Sequence, residues 1–179
     1  MDNLPEGLIE LNCGLNKLKN LENLPKTIKI IICSDNNYIL LNGLHDGLKI
    51  LHCCRCNIKQ LDCLPQSLKK LYCSMNKLKD LNFLPYGLKV LKCFNNLIKN
   101  LSNLPPSLRL LSCQDNQIDN LNFIPKRLIY LDCCNNNITE FPYLDDTLEF
   151  LACNKNKLIY KFNPSIENIR NYNKKQQKS

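Results

Sequence analysis

The sequence repeats itself every 20 residues, and this period constrains the fold more than any other feature. An apolar residue opens each of eight units, with no residue inserted or deleted between them. The opening residues are Leu4, Leu24, Leu44, Leu64, Leu84, Leu104, Ile124 and Leu144. Proline follows in six units, and His45 and Asp145 replace it in the other two. Because a 20-residue unit cannot bury its own apolar face, the units must stack on one another as a solenoid.

Two further positions hold nearly one residue type throughout. Every unit has a cysteine nine residues after its opening residue: Cys13, Cys33, Cys53, Cys73, Cys93, Cys113, Cys133 and Cys153. Three residues later, all units but one have an asparagine: Asn16, Asn36, Asn76, Asn96, Asn116, Asn136 and Asn156. The third unit has Cys56 there. The alternation before each cysteine predicts a short strand. We predict that the asparagines form a structural ladder that satisfies turn backbone, and that the exposed Asn95 tolerates alanine.

The unit L-P-x-x-L-x-x-L-x-C-x-x-N-x-[LI]-x-x-L-x-x resembles the leucine-rich repeat family, with cysteine replacing that family's third leucine. The Leu-Pro start and the 20-residue length resemble the short subclass of bacterial effector proteins. The Asn-, Lys- and Cys-rich version is also similar to repeat proteins of giant DNA viruses. The resemblance implies an α/β solenoid of eight repeats, with a parallel sheet on its concave side and extended or 3-10 segments on its convex side. The resemblance does not predict the function, which depends on the residues at the surface positions.

The two ends of the chain are expected to differ. We predict a solenoid over residues 1–162, without an N-terminal cap, so that this end is open to a partner or to a homodimer. Residues 163–179 are expected to form a short capping helix and a disordered basic tail from Lys174. Pro164 fits a first helical position, and Ile166, Ile169 and Tyr172 follow at helical spacing.

The cysteines are expected to be buried free thiols rather than a disulfide scaffold. Parallel side chains at neighbouring ladder positions have poor disulfide geometry, and a row of buried thiols suits a reducing compartment. The start of the chain lacks the basic and apolar regions of a signal peptide, and no stretch approaches the length of a membrane span. We therefore expect an intracellular protein, located in the host cell if it is viral.

The residue types that carry chemistry are scarce. His52, Cys53, Cys54 and Cys56 superficially suggest a zinc site, but alternation places Cys53 and Cys56 inward and the other two outward. Only His45 and His52 could serve as a base for a nucleophilic thiol. The sequence thus predicts neither a metal, nor a cofactor, nor enzyme activity.

The outward strand positions are unusually apolar for a solvated surface. The first of three columns runs Glu10, Ile30, Ile50, Lys70, Val90, Leu110, Tyr130 and Phe150. Contiguous apolar surface with aromatic residues is typical of interaction sites, although exposed strands also favour such residues on propensity alone. On the first interpretation, a partner protein contacts Ile30, Ile50, His52, Tyr72, Val90, Lys92, Phe94, Leu110, Tyr130, Asp132 and Phe150.

Charge leaves two other functions open. The chain has 24 basic and 16 acidic residues, and one repeat position forms a basic stripe of Lys29, Lys49, Lys69, Lys89 and Arg109. Such a stripe can bind a nucleic acid or another anionic surface, or it can be a solvated edge that opposes aggregation. A self-associating structural solenoid is the other alternative hypothesis. Of the three functions, we favour binding of a partner protein.

Overall fold

The computed structural model describes residues 4–37 and 40–176, and it confirms the solenoid. Eight three-residue strands form one parallel sheet in sequence order: β1 (Glu10–Asn12), β2 (Ile30–Ile32), β3 (Ile50–His52), β4 (Lys70–Tyr72), β5 (Val90–Lys92), β6 (Leu110–Ser112), β7 (Tyr130–Asp132) and β8 (Phe150–Ala152). Each residue pairs with the residue 20 positions later, as Leu51 does with Leu71. The sequence period is therefore the register of the sheet.

The core is a stack of identical layers. The central residue of each strand and the cysteine two residues later both point inward, and Leu71 and Cys73 are fully buried. The apolar residues that flank each strand, such as Leu68 and Leu78, are fully buried as well. Each layer therefore covers the apolar face of its neighbour, which no single layer could bury alone.

The convex side consists of turns and extended segments. At each Leu-Pro a tight turn forms, in which the proline carbonyl accepts a hydrogen bond from the N–H three residues later, as Pro65 does from Leu68 at 3.1 Å. Proline fixes φ and has no N–H to satisfy, so it suits this position. Within the described residues the only helix is α1 (Ile166–Gln176).

Every second repeat has a hydroxyl group that hydrogen-bonds the turn at its opening residues to the equivalent turn of the preceding repeat, so these bonds recur every 40 residues. The side chains of Thr27, Ser67, Ser107 and Thr147 donate to backbone carbonyls of the preceding repeat. The intervening repeats have Gly7, Gly47, Gly87 and Arg127 at this position. The 20-residue units are therefore arranged in pairs, and this 40-residue period is not visible in the 20-residue consensus.

All eight turns after the strands use the left-handed backbone region. The residue before each ladder position has a φ between 52° and 60°, and none is glycine: Leu15, Asp35, Arg55, Met75, Asn95, Asp115, Asn135 and Lys155. This corrects the expectation that the exposed Asn95 tolerates alanine. Its φ of 55° strains an alanine, since an L-residue in this region costs about 1–2 kcal/mol.

Helix α1 closes the C-terminal end of the core. Its only buried residue is Ile169, and Arg170 donates to the carbonyls of Leu144, Asp145 and Leu148 in the last repeat. The Ser165 hydroxyl caps the helix by accepting from Asn168 N–H at 3.2 Å.

Two expectations about this end were wrong in detail. Pro164 precedes the capping residue and is not the first helical residue. The helix also continues through Lys174 and Lys175 to Gln176, where a disordered tail was expected. Residues 177–179 of that tail lie outside the described residues.

Candidate interaction surface

The asparagine ladder joins neighbouring repeats at the end of the sheet. The Nδ2 of Asn96 donates to the carbonyls of Cys73 (3.1 Å) and Cys93 (3.0 Å), and its Oδ1 accepts from the N–H of Leu78 (3.0 Å). The same three partners recur by position at Asn36, Asn76, Asn116, Asn136 and Asn156. The partly buried ladder is thus a structural element, because its amide groups are directed at backbone.

Two members of the ladder differ from the rest. Asn16 is exposed and donates only within its own repeat, to the carbonyls of Cys13 and Gly14. The Sγ of Cys56 lies 3.2 Å from the carbonyl oxygens of both Cys33 and Cys54, and its single S–H donates to one of them. The thiol therefore replaces the missing amide only in part, because it has a single proton and sulfur is a weak donor.

The cysteines are placed as structural residues. Burial raises the pKa of Cys53, Cys73, Cys93, Cys113 and Cys133, so these thiols stay protonated and unreactive. His52 and Cys54 are partly exposed on the outer face of the sheet, whereas Cys53 and Cys56 are fully buried. Across residues 4–37 and 40–176, no three His, Cys, Asp or Glu side chains converge in a way that could hold a metal.

The outer face of the sheet, which we call the concave face, carries two parallel rows of side chains. Strand register aligns Ile30 with Ile50, Val90 with Leu110, and Leu110 with Tyr130. These residues are partly exposed, and Phe150 at the end of the row is 46% exposed. The row therefore presents a nearly continuous apolar strip, interrupted by Lys70.

Aromatic rings stack between neighbouring strands at two places on this face, between β7 and β8 and between β3 and β4. Tyr130 and Phe150 have ring centroids 4.3 Å apart and lie 4° from parallel, and His52 and Tyr72 stack at 4.1 Å. The Nζ of Lys92 lies 5.8 Å from the centre of the Tyr72 ring, within the range of a cation–π contact. Parallel strands about 4.8 Å apart place equivalent rings at this distance, so the register builds the stacks.

Charged and polar side chains divide the second row. Partial burial lowers the pKa of His52, against the opposing charge of Glu10, and so favours the neutral imidazole in the stack with Tyr72. Lys92 and Asp132 lie on either side of Ser112, whose buried hydroxyl donates to Gln114 at 2.7 Å. Phe94 lies just beyond β5 and is partly exposed. The prediction had missed Ser112, since nothing in the repeat marks it as buried.

The basic stripe lies immediately before the strands. Its residues contribute backbone to the sheet, as when the Lys49 carbonyl accepts from the N–H of Lys69 and of Lys70. Within the described part of the chain, ion pairs join Arg55 to Asp35 and Arg170 to Asp146. None of the stripe side chains has an acidic partner there, so its positive charge is not neutralised locally.

Solved structures share this architecture. YopM from Yersinia enterocolitica WA-314 is 31% identical with a TM-score of 0.70, over 88% of this chain and 40% of that one. A domain of InlJ from Listeria monocytogenes, which includes a cysteine ladder, is 29% identical with a TM-score of 0.76, over 87% and 36% of the two chains. The chain is a leucine-rich repeat protein. The Shigella effector leucine-rich repeat domain is 29% identical, with a TM-score of 0.61, over 84% and 60% of the two chains.

The similarity is one of repeats rather than of whole proteins. This leucine-rich repeat chain spans two fifths of the YopM chain and about a third of the InlJ chain. No protein-family model and no curated protein matches the sequence. None of its described helices is long and apolar enough to span a membrane.

Proposed function

We propose that this leucine-rich repeat chain is a non-enzymatic module that binds a partner protein on its concave face. The Tyr130–Phe150 stack, in which Tyr130 is partly exposed and Phe150 exposed, carries the proposal. Large, stiff rings that keep a free face are the side chains that most often anchor protein interfaces. The apolar row from Ile30 to Leu110 extends the same surface across the sheet.

The charges around the rings support a protein rather than a simple polyanion as the partner. Asp132 lies beside Tyr130 in β7 and Lys92 beside Val90 in β5, so both signs occur on one face. A polyanion would be repelled at Asp132, whereas a folded protein can offer a complementary residue to each charge. The face therefore favours a mixed partner surface with an apolar centre.

The free thiols support an intracellular place of action. All twelve cysteines are unpaired, and all but the exposed Cys63 lie buried or partly buried in the stacked repeats. A protein with this many thiols is best kept in a reducing compartment. We propose the cytoplasm, and that of a host cell if a virus or another pathogen encodes the chain.

The test is capture of a partner from an extract of the native cell, compared between matched variants. Tyr130→Ala and Phe150→Ala should each weaken capture by about thirtyfold, the loss typical of an interface anchor. Phe123→Ala is the control, because Phe123 is 66% exposed but lies on the convex side. Loss of the stack should cost only about 0.5–1.5 kcal/mol of unfolding free energy, so the variants remain folded.

Two results would contradict the proposal. One is an equal loss of capture with Phe123→Ala, which would place the contact outside the concave face. The other is a loss of capture only when Lys89 and Arg109 are reversed to glutamate. The second result would favour the alternative function, in which the locally unpaired basic stripe binds a nucleic acid or another anionic surface. Retention on heparin that disappears with added salt would then be expected.

A further inference from the structure

The two ends of the solenoid are covered differently. Helix α1 packs on the last repeat, whereas strand β1 is the edge of the sheet and pairs only with β2. Leu8, Leu11 and Leu18 of the first repeat are partly exposed. Their equivalents in the next layers, such as Ile28, Ile31 and Leu78, are fully buried. The first layer thus presents one apolar side to solvent among the described residues.

The free edge also presents backbone groups in a defined order. The N–H of Cys13 donates to the carbonyl of Ile32 at 2.8 Å, and the N–H of Leu15 donates to the carbonyl of Ser34 at 3.0 Å. The carbonyl of Ile9 accepts from the N–H of Ile30 in β2 at 3.2 Å. Because a strand directs successive residues to opposite sides, the N–H and C=O groups of Glu10 and Asn12 face away from β2. An edge of this kind can template pairing with another chain.

We propose that this edge pairs with a second copy of the same chain, antiparallel, about a two-fold axis at Leu11. In this register Glu10 opposes the partner's Asn12, and Asn12 opposes the partner's Glu10. Each opposed pair exchanges two backbone hydrogen bonds, and the Glu10 carboxylate can accept from the amide of the partner's Asn12. Leu11 meets the partner's Leu11 on the core side, so both apolar ends are covered.

Other pairings of the edge are less complementary. A shift that brings Glu10 opposite the partner's Glu10 places like charges together, which destabilises a strand pair. Joining β1 of one copy to the β8 end of the next would require displacement of α1. Its Arg170 donates to the last repeat, and its Asn173 donates to the end of the seventh. A two-fold contact is closed and stops at the dimer.

The experiment is sedimentation velocity of the full chain over a wide concentration range. A reversible species of twice 20.8 kDa is expected. Asn12→Asp places a carboxylate opposite each Glu10, twice per dimer by symmetry, and should loosen the dimer by at least about fivefold. Asn12→Lys should tighten it, and Glu10→Lys combined with Asn12→Asp should restore it. The matched control is Ala152→Asp at the equivalent position of strand β8, far from the edge, which should leave the dimer unchanged.

A chain that stays monomeric at every concentration would overturn the proposal. So would an association that ignores charge at position 12, or one that continues beyond the dimer. Asn12→Asp keeps the Oδ1 that accepts from Gly14 N–H at 3.2 Å, so folding is preserved, and circular dichroism of each variant verifies this. Glu10 and Asn12 lie outside the proposed partner-binding set, so the dimer and the binding function can fail independently.

Discussion

The Nδ2 of Asn116 lies 3.1 Å from the carbonyl oxygen of Cys93, which belongs to the preceding repeat. The same amide donates to Cys113 in its own repeat at 3.0 Å, and its Oδ1 accepts from Ile98 N–H at 3.0 Å. One side chain therefore satisfies three backbone groups in two layers. Because each layer contacts only its neighbours, bonds that cross the boundary stabilise the stack directly.

Removal of this amide should destabilise the protein clearly. Asn116→Ala leaves partly buried backbone groups without partners, and we expect a loss of about 1–3 kcal/mol in unfolding free energy. Asn122→Ala is the control, since Asn122 is exposed and its side chain bonds no described residue; it should change stability by less than about 0.5 kcal/mol. Urea unfolding measures both, and equal midpoints would show that the ladder is not structural.

Glycine should stabilise the left-handed turns. Lys155 has a φ of 56° and is exposed without a side-chain partner among the described residues. Lys155→Gly removes the strain of an L-residue at positive φ, and we expect a gain of about 0.5–1 kcal/mol after the entropic cost of glycine. Lys157→Gly, two residues later at ordinary φ, should lose a similar amount. A decrease in the thermal midpoint for both variants would contradict the assignment.

The repeat period predicted the fold because it acts at every layer. Leu71, Cys73 and Asn96 could be placed from spacing alone, since a 20-residue unit has one way to turn its apolar positions toward its neighbours. The end of the chain was predicted less well. Ser165 caps α1, which begins at Ile166, and Pro164 lies outside the helix, because the cap is set by the hydroxyl that faces a free N–H.

Features that depend on the backbone between layers could not be predicted from one unit. Asn95 reads as an ordinary exposed residue, and its positive φ appears only once the ladder amide has closed the turn. The alternation of Gly87 and Ser107 was visible in the sequence. Its structural role became clear only from the carbonyl oxygens of Tyr86 and Leu88, which lie 2.7 and 2.6 Å from the Ser107 Oγ and offer its one proton two acceptors. The ring stacks likewise follow from strand register rather than from composition.

Thiol reactivity should distinguish the exposed cysteine from the others. Cys63 is exposed, so iodoacetamide should label it first in the native protein. Burial raises the pKa of the partly exposed Cys54 and Cys134, which should slow their labelling because the thiolate is the nucleophile. After denaturation without reductant, intact-mass analysis should count twelve labels. Stoichiometric intrachain disulfides would contradict both the thiol ladder and the reducing compartment.

The two histidines should make the protein less stable in mild acid. Partial burial lowers the pKa of His52, and burial together with Lys29 and Lys26 lowers that of His45. The Nε2 of His45 is buried without a hydrogen-bond partner, which disfavours its protonated form further. The unfolded chain therefore binds more protons than the folded one as pH falls through the ordinary histidine value of about 6.5.

The part of the unfolding free energy that depends on His45 and His52 is present above the ordinary histidine pKa of about 6.5. It is lost as the pH falls toward the lower pKa values of these histidines in the folded protein. Thermal unfolding of the wild type between pH 7.5 and about 5, above the range of most carboxylates, should show this loss. The double variant His45→Gln, His52→Gln should have a flatter profile, because neither glutamine takes up a proton. His45→Gln alone should remove part of the slope. If the wild-type and double-variant profiles run parallel, the histidines are equally solvated in both states and the burial argument is wrong.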